Sequence, residues 1–357
     1  MYTLLKKLCD LHGPSGFEQE VIRAIFNEIE NDIDDYQIDS MGNLVVRKKA
    51  TDNNFPSLLL VAHTDEVGFI VRGIESNGLI LFEKLGGIED RILLAQPVLI
   101  KTENGNVNGV IGTRSAHYVK WDSSSNIPPY NNMYIDIGAT SRSEVIEKGI
   151  NIGQSISFGS KLKKIENNQV VGKALDNRVG CLILIMLLKY LKSHDVKHGD
   201  LVISFTVQEE IGLRGAAVLS SNYNTDYALS VDTTPISEAG GIPNIDGRTI
   251  GKGPCIKVAD NSIISNPVIT NLLKIAAEEI NIPYQLEVFM GIYSDIGAIH
   301  NSNKGISSGA VSIPSKYTHS PIEIVSLEDI DNTFKLLRKF ILSLNLLKDK
   351  NFLNYRF

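Results

Sequence analysis

Residues 57–65 read Ser-Leu-Leu-Leu-Val-Ala-His-Thr-Asp. Five apolar residues, Leu58 to Ala62, follow one another without a polar interruption. A strand with one wet face alternates; an unbroken run of this length suits a strand covered on both faces, as in a parallel sheet. His63 stands where that strand ends. The expected fold class is therefore α/β, with a doubly wound, mostly parallel sheet.

Upstream, 3–11 and 17–31 have helical spacing, and strand-like segments at 36–39 and 44–48 flank a Met41-Gly42-Asn43 turn. Downstream of residue 66 the texture changes. Short β-rich pieces recur at 67–72, 79–83, 97–100, 107–111, 134–137 and 154–158, with Gly and Asn turns between them and helical spacing only at 141–148. This predicts an all-β, barrel-like unit over 66–160, inserted between two parts of an α/β catalytic domain, 1–65 and 161–357. A βαβ crossover needs only about a dozen residues, so an insertion explains the interval better than a loop does. Within it, 122–132 is the most loop-like stretch and is expected to be exposed. From 169 onward α/β texture returns, with strands at 170–174, 201–207, 227–231, 284–289 and 309–313 and helices at 179–191, 267–280 and 327–344.

The 357 residues are 43% hydrophobic and 21% charged, which excludes collagen-like, mucin-like and disordered classes. Lys+Arg 35 against Asp+Glu 41 leaves a net charge of −6, which disfavours nucleic acid or an anionic membrane as partner. Cys9, Cys181 and Cys255 form no CxxC pair and fit a reducing compartment, each as a small apolar residue. No secretory pattern opens the chain, and its longest apolar run, 181–188, is far short of the ~20 residues that span a bilayer. A cytoplasmic location is expected.

Chemistry-bearing residues stand after the strands. His63 follows 57–62, Asp176 opens a helix after 170–174, Glu209 and Glu210 follow 201–207, Asp232 follows 227–231, and His319 lies beyond 309–313. Functional groups gather at the carboxyl ends of strands in open α/β sheets. Singly, each has an ordinary explanation: Asp176 can cap a helix, the Glu pair can be a solvated edge, and Asp232 with two threonines can be a turn. Together they aim carboxylates and imidazoles at one edge, where unpaired acids would repel. A pair of divalent cations resolves that conflict, and the N/O donor set without Cys suits Zn, Co or Mn. Adjacent Glu209 and Glu210 point apart on an extended backbone, so one can bind metal while the other serves as general base. Asp65 is placed to accept the second ring N–H of His63.

The same residues resemble a known family, the dinuclear-metal aminopeptidases that include glutamyl aminopeptidase, deblocking aminopeptidases, the tetrahedral TET peptidases and proteins once labelled cellulase M. The resemblance is carried by GPSGFEQEV (13–21), DSMGNLVV (39–46), VAHTDEVGFIV (61–71), GKALDNRVGC (172–181), VQEEIGLRGA (207–216), SVDTT (230–234), SDIGAIH (294–300) and IPSKYTHSPIE (313–323). It implies His63 and Asp232 on one metal, Glu210 and His319 on the other, Asp176 bridging, Glu209 as general base and Asp65 orienting His63. It further implies a cis bond after Asp176, a specificity pocket over 291–298 with Ser294 and Asp295 as its polar members, and His117 reaching a neighbouring subunit's site. Zn is the first expectation for the two ions, with Co or Mn as alternatives. The substrates implied are short peptides, and the inserted unit is implied to be a dimerisation domain whose dimers build a tetrahedral dodecamer. A same-clan amidase or deacylase, or a non-catalytic shell protein, are the competing readings. A glycosidase is disfavoured because these acids are better used as ligands and base, and no GxSxG elbow, P-loop or GxGxxG motif is present.

Overall fold

The computed structural model describes residues 1–118, 127–237, 247–302 and 304–347. The chain opens with amphipathic helices α1 (Tyr2–Asp10) and α2 (Gln19–Ile29), which bury Leu5, Leu8, Val21, Ile25 and Ile29 on one face each. Strands β1 (Asp35–Ile38) and β2 (Leu44–Lys48) pair antiparallel, and β3 (Leu58–His63) is the apolar run, buried at every position. Its residues divide between two cores. Leu58, Leu60 and Ala62 join the larger core, whereas Leu59 and Val61 join the one on the opposite face. Covering on both sides is thus the physical reason for the missing alternation.

Strands β4 (Gly68–Ile74), β5 (Ile80–Leu85), β6 (Pro97–Thr102), β7 (Gly105–Ile111), β8 (Ile135–Asp136) and β9 (Ser155–Phe158) close a barrel in the order β4-β5-β8-β7-β6-β9. A short helix, α3 (Arg142–Glu147), is capped by the Ser141 hydroxyl. Phe69 packs edge-on against Phe82 and Phe158 at the barrel centre, with centroids 5.1 and 5.2 Å apart. Of the stretch expected to be exposed, 122–126 lies outside the described residues. In the remainder Ile127 is exposed, while Tyr130 is half-buried and donates its hydroxyl to Glu83.

The second part of the α/β domain holds β10 (Lys163–Lys164), β11 (Gln169–Gly172), α4 (Leu175–Ser193), β12 (Leu201–Thr206), α5 (Arg214–Asn222), β13 (Tyr227–Pro235), β14 (Cys255–Asp260), α6 (Pro267–Glu279), β15 (Gln285–Phe289), α7 (Asp295–His300), β16 (Ser307–Ser315), β17 (Glu323–Ser326) and α8 (Leu327–Leu342). The eight-stranded sheet runs β1-β2-β12-β3-β13-β16-β14-β15. Its centre, β12, β3, β13 and β16, is parallel. One expectation is corrected: the strand near 170–174 is not in this sheet. It is β11, which pairs antiparallel with β10 and β17 in a separate three-stranded sheet. All three cysteines are buried and outside any disulfide, and among the described residues no helix is long and apolar enough to cross a membrane.

His12, just past α1, ties the two units together. Its ring nitrogens lie 2.7 Å from Ser155 Oγ and 3.0 Å from Ser157 Oγ on β9. Burial pushes the imidazole down from 6.5 to about 4. The unfolded chain therefore binds the extra proton between those values, and stability falls as pH drops through that window, by about 3 kcal/mol for this group. Urea unfolding at pH 7 and pH 4.5 is expected to show a smaller acid loss in His12→Gln than in the parent. Equal losses would remove His12 from the account.

Candidate metal centre

The parallel register sets Thr206 beside His63, so the chain leaving β12 passes the end of β3 with Glu209 and Glu210. Asp232 lies within β13, and His319 sits in the turn between β16 and β17. Asp176 arrives from off the sheet, at the start of α4, where Asp176 and Asn177 depart from helical geometry and the bond between them is cis.

These side chains converge. His63 Nε2 lies 3.2 Å from Asp176 Oδ1 and 3.5 Å from Asp232 Oδ1. His319 Nε2 lies 3.1 Å from Glu210 Oε2 and 3.5 Å from Asp176 Oδ2. The potential ligand atoms of His63, Asp176 and Asp232 all fall within 4.8 Å of one another, as do those of Asp176, Glu210 and His319. Asp176 is common to both groups. Glu209 forms a further such group with His63 and Glu210. All six line one cavity of about 600 Å³.

Both imidazoles present Nε2 to the acids because Nδ1 is engaged elsewhere. His63 Nδ1 donates to the Asp65 main-chain oxygen at 3.2 Å, and His319 Nδ1 donates to the Gly87 carbonyl at 2.9 Å. The expectation for Asp65 is thereby refined. Its main-chain oxygen is the closer acceptor, the carboxylate lying 3.5 Å from the ring. That carboxylate instead accepts the backbone N–H groups of Glu209 and Glu210, at 3.0 and 3.1 Å.

The electrostatics are those of a charge cluster awaiting compensation. Burial pushes Glu209 well above the usual carboxylate range, and Glu210, Asp295 and Asp232 add to the push. Burial likewise raises Glu210. Burial works against both protonated imidazoles, yet the acids around them outweigh it and hold His63 and His319 well above 6.5. Asp176 Oδ1 and Glu210 Oε1 are buried with no hydrogen-bond partner. Orphaned carboxylate oxygens facing imidazole nitrogens are the donor set a divalent cation takes, so the residues fit the implied metals.

Some supporting residues escaped sequence reasoning. Glu323 accepts the backbone N–H of Asp176 at 2.9 Å and of His319 at 2.8 Å, clamping two of the converging residues with one carboxylate. Burial, with Asp176 nearby, raises it to about 8. A lone acid heading the short strand Glu-Ile-Val-Ser was the available signal. Asn43 accepts the Val207 N–H and donates to the Gly215 carbonyl, spanning the acidic turn. Five of the nine non-glycine residues with positive φ among the described residues, Ala174, Gln208, Leu213, Tyr317 and His319, flank the centre.

Two of the expected substrate contacts lie behind the cavity rather than in it. Ser294 and Asp295 are buried behind the cavity wall, donating to Asp260 and accepting from Thr206 respectively, while Gly291, Ile292 and Tyr293 line the cavity itself. The cause is α7: its first turn faces the sheet, leaving the preceding loop on the cavity side. His117 is exposed, pairs with Ser115, and is not among the cavity-lining residues of this chain.

Residues 42–336 match the M42 glutamyl aminopeptidase family. The glutamyl aminopeptidase of Lactococcus lactis subsp. cremoris is 30% identical over 363 residues, covering 99% of each chain. The TET aminopeptidase of Thaumarchaeota archaeon SCGC AB-539-E09 superposes with a TM-score of 0.93 at 34% identity, over 97% of this chain and 96% of that one. The TET1 peptidase of Pyrococcus horikoshii, described as able to assemble into a tetrahedron or a large octahedral shell, gives a TM-score of 0.86 at 32% identity, over 95% and 98%. A family match of that length, with relatives aligned nearly end to end, shows that this chain belongs to the M42 glutamyl aminopeptidase family.

Proposed function

We propose that the protein is a metal-dependent aminopeptidase that removes N-terminal residues from short peptides, with Glu209 as its general base. One observation carries the reading: two groups of ligand atoms share Asp176, with Glu209 beside them. His63, Asp232 and Asp176 would hold one divalent cation and His319, Glu210 and Asp176 the other, with Zn first and Co or Mn as alternatives. Two such cations supply Lewis-acid polarisation of the scissile carbonyl and ease the deprotonation of water. Glu209 then takes the proton of the attacking water on its carboxylate and returns it to the departing amine. Release of amino acids from free-amine peptides, lost on chelation and restored by Zn or Co, is the test. Turnover confined to acylated compounds would favour an amidase instead.

Specificity follows from the cavity wall. Among the described residues, its charged side chains all belong to the ligand-and-base set, and the rest of the wall includes Leu213, Pro235, Ile292 and Tyr293. A charged first side chain would lose water there without gaining a partner. A leucyl anilide is therefore expected to exceed glutamyl and lysyl anilides in kcat/KM by at least about tenfold. A faster glutamyl or lysyl substrate would overturn this.

The barrel is proposed as the dimerisation unit, with dimers building a tetrahedral dodecamer in the cytoplasm, a reading supported by the likeness to TET peptidases. His117 is exposed and so accessible to a neighbouring subunit's site. Light scattering on the purified protein measures the assembly, and a monomer would remove this part.

A further inference from the structure

The turn that carries Glu209 is held in an unusual way. Four successive backbone N–H groups, from Val207 to Glu210, donate to side chains rather than to a sheet or helix. Their acceptors are Asn43, Glu18 and, for the last two, Asp65. Glu18 lies far away in sequence, in the loop 13–18 between α1 and α2. Its Oε1 accepts the Gln208 N–H at 3.1 Å and the Gly16 N–H at 2.6 Å. Ser15, in the same loop, donates its hydroxyl to Asp65 Oδ2 at 2.6 Å. The loop is itself fixed to the chain following β3. Gly13 and Glu66 exchange backbone contact through the Glu66 N–H at 3.0 Å, and Ser15 N–H reaches the Glu66 carbonyl at 3.3 Å.

We propose that Glu18 and Ser15 are positioning residues for proton transfer: Glu18 through the Gln208 N–H, and Ser15 through the Asp65 carboxylate, set the direction in which the Glu209 side chain leaves its turn. The inference rests on the assignment of Glu209 as general base. Gln208 explains why the restraint is required. It sits at φ 56°, in the left-handed region, where a non-glycine residue is strained unless its surroundings hold it. A turn free to relax from that conformation would swing the next residue away from the reacting atoms, and a misplacement of about 1 Å can cost about 10²-fold in rate.

The two oxygens of Glu18 are not equivalent in this role. Oε1 is the acceptor that the turn uses. Glutamine keeps the acceptor and gives up only the ionisable oxygen.

The test is steady-state kinetics of the metal-loaded protein with a peptide substrate, alongside cation content and thermal unfolding. Glu18→Ala is expected to lower kcat by about 10- to 100-fold with KM within about twofold and cation content unchanged. Glu18→Gln is expected to recover kcat to within about threefold, and Ser15→Ala to show a smaller kcat loss of the same kind. A kcat of Glu18→Ala within threefold of the parent overturns the proposal, and so does Glu18→Gln as impaired as Glu18→Ala. If Glu18→Ala does not fold, the Glu18→Gln and Ser15→Ala kinetics decide alone: normal turnover in Ser15→Ala, or a damaged Glu18→Gln, overturns it. Glu209→Gln in the same series separates the two assignments. An active Glu209→Gln removes the base itself, whereas an inactive Glu209→Gln beside a fully active Glu18→Ala removes only the positioning role.

Discussion

Glu209→Gln is expected to lower kcat by about 10²- to 10⁴-fold while the protein keeps its full cation content. The reason lies in how the two adjacent glutamates divide. Glu210 places Oε2 3.1 Å from His319 Nε2, with its other oxygen buried and unpartnered, which is the position of a ligand. Glu209 stands on the other side, grouped with His63 and lining the same cavity. Burial and the surrounding acids raise its affinity for a proton, and a carboxamide of the same shape cannot accept one at neutral pH. KM should change little, because the interaction lost belongs to the transition state rather than to the bound peptide. Single-turnover kinetics with metal analysis of the same samples gives both numbers. Unchanged turnover would remove Glu209 from the mechanism, and loss of a cation would make it a ligand.

Asp176→Asn is expected to weaken the binding of both cations, by more than about 100-fold each, and to abolish activity. Its two oxygens face different imidazoles, Oδ1 toward His63 and Oδ2 toward His319. An amide would turn a donor NH2 toward one of the two positions and withdraw this side chain's negative charge from both. Even residues that only support a ligand cost 10- to 100-fold in metal affinity, so the shared ligand should cost more. Asp232→Asn provides the contrast, because Asp232 belongs to the His63 group alone; it should lose one cation and retain the other. Calorimetric titration of the metal-free proteins counts the sites. Two tight sites in Asp176→Asn would end the bridging assignment. On the proposed reading the cations bind only the folded chain, so their loss should also lower the unfolding temperature, by an amount that grows with metal concentration in the parent.

Much of the architecture was legible before any coordinates. Leu58 to Ala62 announced a strand buried on both faces, and the apolar run 181–188 lies in α4, which the fold buries along most of its length. The change of texture after residue 66 marked a β unit. The strand Cys255–Asp260 was not legible, because Lys257 and Asp260 interrupt its apolar pattern; they are buried against each other at 2.7 Å, a pairing that spacing cannot reveal. Helix α7 hid for a related reason. Its first residue, Asp295, reads as a polar pocket member, whereas the fold buries it against Thr206.

The meeting of His63, Glu209, Glu210 and Asp232 was determined by the sequence, because strand ends in a parallel sheet fall on one edge whatever the side chains are, whereas Asp176 reaches the centre from outside that sheet. Which nitrogen each imidazole offers, and which glutamate of the pair faces His319, were decided only by the tertiary structure. The Asp65 carbonyl that engages His63 is local, but the Gly87 carbonyl on His319 and the Asp65 and Glu18 carboxylates on the turn of Glu209 and Glu210 come from distant parts of the chain. A hydrogen bond acts over about 3 Å, and no pattern of neighbours along a chain encodes a meeting of that precision between segments so far apart.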